Sequence, residues 1–200
     1  MTLMTQAIQA FQSGQPIIVY DGEKEMEGDI ILSAEHASPE LINWITLYAR
    51  GLICVAVGHE VADQLDLTLM PRKNLGRHTC GFLNSVDALN DITTGVSAFD
   101  RAKTIQLLAN PQSQPEHFSS PGHIFPCLAQ KEGLAVRQGH TEAAVYLCQL
   151  AKLRPAGLIC EILDDDGQMR DFESLKAFAK TWDLVMLSIN DLVEHFNMEK

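Results

Sequence analysis

Positive charge is scarce in this chain. Fifteen lysines and arginines stand against twenty-six aspartates and glutamates, giving a formal net charge of -11. A chain so balanced repels phosphate backbones and anionic bilayers, which excludes nucleic acid and membrane as principal partners. Any anionic substrate would have to be held by local cations against the overall field. Long apolar runs are also missing. None reaches the length of a membrane span, and no basic region followed by an apolar stretch opens the chain, which points to a cytoplasmic protein. The five cysteines (Cys54, Cys80, Cys127, Cys148, Cys160) are odd in number and form no CxxC pair. Four lie in apolar segments and read as small core residues of a reduced protein. Internal repeats, low-complexity tracts and linkers are absent, so residues 1–200 read as one domain, and 46% hydrophobic content suffices for a sizeable core.

What is present alternates. A weak helical pattern over residues 4–13 stops at Gly14 and Pro16, and a strand, Ile17–Tyr20, follows. An acidic loop separates it from a second strand, Asp29–Ala34. Ser38-Pro39-Glu40 combines a cap, a first-turn proline and an early acid, opening a helix that Gly51 stops. Leu52–Val57 is a continuous apolar strand, buried on both faces. Residues 58–67 predict a short helix, Thr79–Val86 a strand, and 98–109 a helix capped by Ser97. A loop over 110–122 precedes a strand at Ile124–Ala129 and a helix at 142–152. Gly157–Leu163 is another buried strand, and the Asp164–Gly167 turn lacks the rest of a calcium loop. A helix at 171–181, a strand at 184–189 and a short helix opened by Asn190 follow. Helices alternating with short apolar strands predict a single α/β domain.

Several polar groups stand out against this background. Lys24 to Asp29 packs the carboxylates of Glu25, Glu27 and Asp29 between two apolar runs. Acids so close repel unless a divalent metal or a basic side chain offsets them; a solvated acidic turn is the simpler reading of that segment alone. Pro71–His78 gathers Arg72, Lys73 and Arg77, either for solubility or as a mobile flap over an anionic ligand. Glu161 is flanked by apolar neighbours. It faces solvent by strand alternation, or a cleft in which desolvation raises its pKa and suits it to proton transfer. Arg137-Gln138-Gly139-His140-Thr141 offers a cation, an imidazole and a hydroxyl at a helix start, where phosphate binds readily. With His123, these groups supply a hard-cation site, an anion site and two acid/base groups, an inventory suited to metal-assisted proton abstraction beside the carbonyl of a phosphorylated sugar.

The motifs also carry a resemblance. In order they are Glu25-x-Glu27-Gly28-Asp29, Thr93-Thr94-Gly95-Val96-Ser97-Ala98-x-Asp100-Arg101, Pro121-Gly122-His123-x-Phe125-Pro126, Arg137-x-Gly139-His140-Thr141-Glu142-Ala143, Pro155-Ala156-Gly157-x-x-Cys160-Glu161 and Asp165-Asp166-Gly167. Together, over roughly residues 5 to 194, they resemble the 3,4-dihydroxy-2-butanone 4-phosphate synthases of riboflavin biosynthesis. The resemblance implies one domain with a mixed β-sheet core flanked by helices. It implies a lyase converting D-ribulose 5-phosphate to L-3,4-dihydroxy-2-butanone 4-phosphate and formate, with magnesium or manganese, as a homodimer. No cyclohydrolase segment follows, implying the single-function form. Carried over, Glu25 and His140 are the metal ligands, and Glu161 and His123 the acid/base pair. Lys24, Glu25, Asp29, Arg137, Gln138, Gly139, His140, Thr141 and Glu161 bind the substrate.

The chain departs from the family around the acidic stretch. Tyr20 and Gly22 stand where acids are usual, Lys24 where an arginine contacts substrate, Met26 for an amide, and Ser120 for the arginine before Pro-Gly-His. An ammonium cannot reproduce the planar fork of a guanidinium. Three readings follow: a working synthase with a modified loop, a diverged paralogue acting on a related sugar phosphate, and a non-catalytic binding or partner protein.

Overall fold

Strand residues of opposite parity face two different cores, and that alternation organises the molecule. The computed structural model describes residues 2–73 and 80–198. β1 (Ile17–Asp21) and β2 (Glu27–Ser33) form an antiparallel hairpin. β3 (Cys54–Val57), β4 (Val86–Ala88), β5 (Phe118–Leu128), β6 (Ala156–Glu161) and β7 (Met186–Ser188) complete a sheet in the order β4-β5-β3-β6-β2-β1-β7. It is mixed, because β3 runs parallel to β5 and β1 to β7 while the other pairs are antiparallel. β3 is buried along its whole length, as its unbroken apolar run requires of a central strand.

Ile17, Val19, Ile31, Cys54, Cys127 and Ile159 pack against α1 (Leu3–Gln12), α5 (His140–Leu150) and α7 (Ile189–Met198). Their neighbours Ile18, Ile30, Val55 and Leu158 pack against α2 (Pro39–Tyr48), α4 (Ala98–Ala109) and α6 (Phe172–Trp182), with α3 (His59–Gln64) beside them. The Ser38 and Ser97 hydroxyls cap α2 and α4, accepting the N–H groups of Leu41 and Asp100. α5 is buried from His140 to Cys148. The mixed sheet flanked by helices is the α/β architecture read from the sequence.

Local expectations fared less evenly. The strand expected at Thr79–Val86 does not form among its described residues: Phe82 and Leu83 make only isolated bridges, to Cys127 and Leu69, and regular pairing begins at Val86. Thr79 lies outside the described residues, as do Asn74 to His78 of the basic loop, including Arg77. The expected loop over 110–122 is also corrected. Residues 118–122 belong to β5, because Phe118 and Ser119 pair with Ala88 and Asp87. Glu27 and Asp29 sit on β2, leaving Gly22 to Met26 as the turn. The final helix starts at Ile189 and runs ten residues. All five cysteines are free, four of them buried. No helix among the described residues is long and apolar enough to cross a membrane.

One buried acid fixes the turn before α4. The Asp100 carboxylate accepts the Thr93 N–H (3.1 Å), the Thr93 hydroxyl (2.7 Å) and the Gly95 N–H (3.0 Å). The Thr93 hydroxyl bond leads in lowering its pKa, with those backbone bonds and Ser97 adding to it against burial, from 3.8 to about 2. A depressed carboxyl stabilises the fold above its unfolded pKa and loses that contribution as pH falls through the folded one. Asp100→Asn is therefore expected to lower the unfolding midpoint at neutral pH. Its deficit against the parent should shrink between pH 3.8 and about 2. Midpoints in both chains across that range test this; a deficit constant with pH would contradict it.

Candidate active site

The β1–β2 hairpin, the end of β6 and the start of α5 meet on the face that α5 covers. Asp29 and Glu161 pair directly across β2 and β6 and share the parity of Ile31 and Ile159, so both point to that face. Like charges placed opposite each other are unfavourable, so something cationic is needed. His140, the first residue of α5, supplies it. Its Nε2 lies 3.1 Å from the Val19 carbonyl, which can only accept, so Nε2 carries hydrogen and Nδ1 turns toward the acids. Nδ1 is 2.9 Å from Glu25 Oε2, 3.9 Å from Asp29 Oδ1 and 4.0 Å from Glu27 Oε1.

The energetics match this crowding. Burial opposes charge on His140, but Asp29, Glu25 and Glu27 outweigh it and push its pKa up to about 9. Burial drives Asp29 and Glu27 up to about 7, with His140 opposing. The hydrogen bond from His140 lowers Glu25. Asp29 Oδ1 is buried without a hydrogen-bond partner. Glu25, Glu27 and His140 place ligand atoms within 4.8 Å of one another. Carboxylate oxygens with one imidazole are the donors that a hard divalent cation such as magnesium or manganese takes. The orphaned Asp29 oxygen and the mutual repulsion of the acids both fit such a cation.

The two ligands expected from sequence, Glu25 and His140, are together; Glu27 joins them, although sequence reasoning gave it no such role. Its signal was the two-residue spacing from Asp29, which puts both on one strand face. Asp21 was also missed. It is buried near His140, and its carboxylate accepts the N–H groups of Glu23, Lys24 and Glu25 at 2.9, 3.0 and 3.3 Å, which shapes the turn carrying Glu25. Tyr20, by contrast, packs into the opposite core with its ring 5.0 Å from Phe172. Met26 adopts φ 55, a conformation that suits an asparagine better.

The anion-site residues are partly engaged with one another. Arg137 Nη1 donates to the buried Glu142 carboxylate at 3.0 Å, and Nη2 lies 3.7 Å from Glu25. Gly139 precedes α5; a Cβ there would come 3.1 Å from the Arg137 guanidinium carbon. Thr141 is buried, with its hydroxyl 3.6 Å from Cys80 Sγ. Lys24 Nζ donates to Gln138 Oε1 at 3.1 Å, tying the turn to the approach of α5. Glu161 Oε2 accepts the Leu52 N–H at 2.8 Å.

His123 stands apart. It lies on β5, which β3 separates from the β6 strand that carries Glu161. Its contacts are with Asp87, not with the acidic turn. Ser120, at the family's arginine position, donates its hydroxyl to the Ser85 carbonyl at 2.8 Å.

The chain is similar to known proteins over nearly its whole length. The family described as 3,4-dihydroxy-2-butanone 4-phosphate synthase matches residues 5–195. A protein of that name from Agrobacterium fabrum is 45% identical over 194 residues, 96% of this chain and 91% of the relative. One from Oceanobacillus iheyensis is 42% identical, covering 100% of this chain and 96% of its own. Some relatives are longer: the chain spans 34% of riboflavin biosynthesis protein RibBA of Synechocystis sp., to which it is 46% identical. A solved 3,4-dihydroxy-2-butanone 4-phosphate synthase in complex with two magnesium ions superposes with a TM-score of 0.94 at 37% identity, covering 99% of this chain and 98% of that one. The Candida albicans enzyme superposes at 0.90 with 40% identity, over 98% and 97% of the two chains. The chain belongs to the 3,4-dihydroxy-2-butanone 4-phosphate synthase family.

Proposed function

We propose that this protein is a lyase that converts D-ribulose 5-phosphate to L-3,4-dihydroxy-2-butanone 4-phosphate and formate, with magnesium or manganese, acting in the cytoplasm as a homodimer. The observation that carries the reading is the convergence of Glu25, Glu27 and His140 beside the Asp29–Glu161 pair, with a buried Asp29 oxygen left without a partner. Glu25, Glu27 and His140 would hold the cation, which when bound stabilises negative charge developing on the sugar's oxygens.

The rest falls to the chain's own groups. The N–H groups at the start of α5, with Arg137, Gln138, Gly139 and Thr141, hold the substrate, and the helix dipole favours its phosphate. Lys24 adds a point charge held in place by Gln138. Asp29 faces the substrate hydroxyls. Glu161, fixed by the Leu52 N–H, and His123 exchange protons with the carbon skeleton as it loses water, rearranges, takes up water again and releases formate.

Formate released from ribulose 5-phosphate in the presence of magnesium tests this directly, with Glu161→Gln as control. The parent is expected to release formate, and the variant to be slower by about a hundredfold or more. A folded, magnesium-loaded parent that releases none would sink the reading and leave a diverged paralogue or a binding protein.

A further inference from the structure

Two motifs far apart in sequence each bring a glycine close against Asp87, one at its backbone and one at its carboxylate. β4 and β5 pair at Val86–Ile124 and then at Asp87–Ser119, so Ser120 to His123 are squeezed into a bulge over a single step of β4. A Cβ at Gly122 would lie 2.1 Å from the Val86 carbonyl carbon and 2.3 Å from the Asp87 nitrogen. A Cβ at Gly95, where φ is +92, would lie 2.3 Å from Asp87 Oδ2 and 2.5 Å from His123 Nδ1. Gly122 thus lets β5 pass close over the Val86–Asp87 backbone, and Gly95 lies directly against the contact between Asp87 and His123. Asp87 is 6% exposed, and it holds His123 twice: Oδ1 accepts the His123 N–H at 2.9 Å, and Oδ2 sits 2.7 Å from Nδ1.

We propose that Asp87 is the positioning residue of His123, fixing its ring and its tautomer so that Nε2 is presented as the proton acceptor. An ionised carboxylate can only accept, so the hydrogen of a neutral ring facing it belongs on Nδ1, and the lone pair is left on Nε2. The His123 side chain is 47% exposed, whereas that of Asp87 is 8% exposed, so the ring's far edge is open while its near edge is clamped. A merely structural histidine has no need of an open nitrogen opposite a doubly bonded carboxylate. The inference rests on His123 acting as an acid/base group.

Two measurements decide it. The first uses the parent chain: 15N NMR of His123 at a pH where the ring is neutral, assigned with His123→Gln. Hydrogen on Nδ1 is expected; hydrogen on Nε2 overturns the inference whether or not any variant folds. The second is a double-mutant cycle in formate release, with thermal midpoints confirming folding. Asp87→Asn is expected to lower kcat about a hundredfold with KM within about threefold, and Asp87→Glu to recover part of the loss. In the His123→Gln background the same change should cost less than about twofold, since Asp87 has no ring to act through. An equal loss in both backgrounds would make Asp87 structural and overturn the proposal. A His123→Gln chain with full activity would remove His123 from the chemistry. An inactive His123→Gln chain beside a fully active Asp87→Asn chain overturns only the role of Asp87.

Discussion

His140→Ala is expected to abolish formate release and the stabilisation of the fold by magnesium together. The imidazole lies within 4.0 Å of all three acids, Asp29, Glu25 and Glu27, whereas Arg137 stands 3.7 Å from Glu25, and the imidazole is 4% exposed. Deleting one partner of a buried charge cluster costs about 3–5 kcal/mol, because the remaining acids lose their counter-charge. The activity loss is expected to be about a thousandfold, the several kcal/mol that a cation supplies to developing charge at about 1.4 kcal/mol per tenfold. Formate assays and thermal midpoints, with and without magnesium, test both effects. In the parent, magnesium should raise the midpoint as any ligand of the native state does; in the variant it should not. A variant still active within about tenfold, or still stabilised by magnesium, would take His140 out of the cation site.

The sequence already held the frame that makes this prediction possible, and the limits of what it showed are physical. The strands read at Ile17–Tyr20 and Asp29–Ala34 were legible as apolar runs, because residues of both parities meet a core there. The caps Ser38 and Ser97 were legible because their bonds are local. Glu25 and His140, 115 residues apart, were reached through a resemblance of motifs; nothing local to either one signals the 2.9 Å contact between them. Asp87 shows the same limit more sharply. It is a single acid on a three-residue strand, and its meaning lies wholly in a bulge on β5 that composition disguised as a loop. Tyr20 and Asp21 show what parity alone decides: the pleat sends the Tyr20 ring to the other core and leaves Asp21 beside His140.

Gly51 was legible only as the stop of α2, and the structure gives it a second duty that predicts a large effect. α2 ends at Tyr48, and the following Arg50 takes φ 68 and bridges Ile162. Gly51 then passes so close to Glu161 that a Cβ would lie 2.3 Å from its carbonyl oxygen, 2.8 Å from its nitrogen and 2.7 Å from Oε2. Two of those atoms are backbone, locked by the pairing of Glu161 with Asp29, so they cannot swing aside as a flexible side chain would. Gly51→Ala is therefore expected to cost about 1–3 kcal/mol of stability from overpacking. It should also displace the Glu161 carboxylate and the Leu52 N–H that holds it, lowering kcat about a hundredfold, the order expected for a 1 Å misplacement. Gly167→Ala is the matched control, since φ there is +83 but no atom lies within 4 Å of the added methyl. It carries backbone strain without touching the site, so it should lower the midpoint and leave kcat unchanged. If Gly51→Ala loses stability but keeps its kcat, Glu161 tolerates displacement, and its fixed position beside Asp29 is not what proton transfer requires.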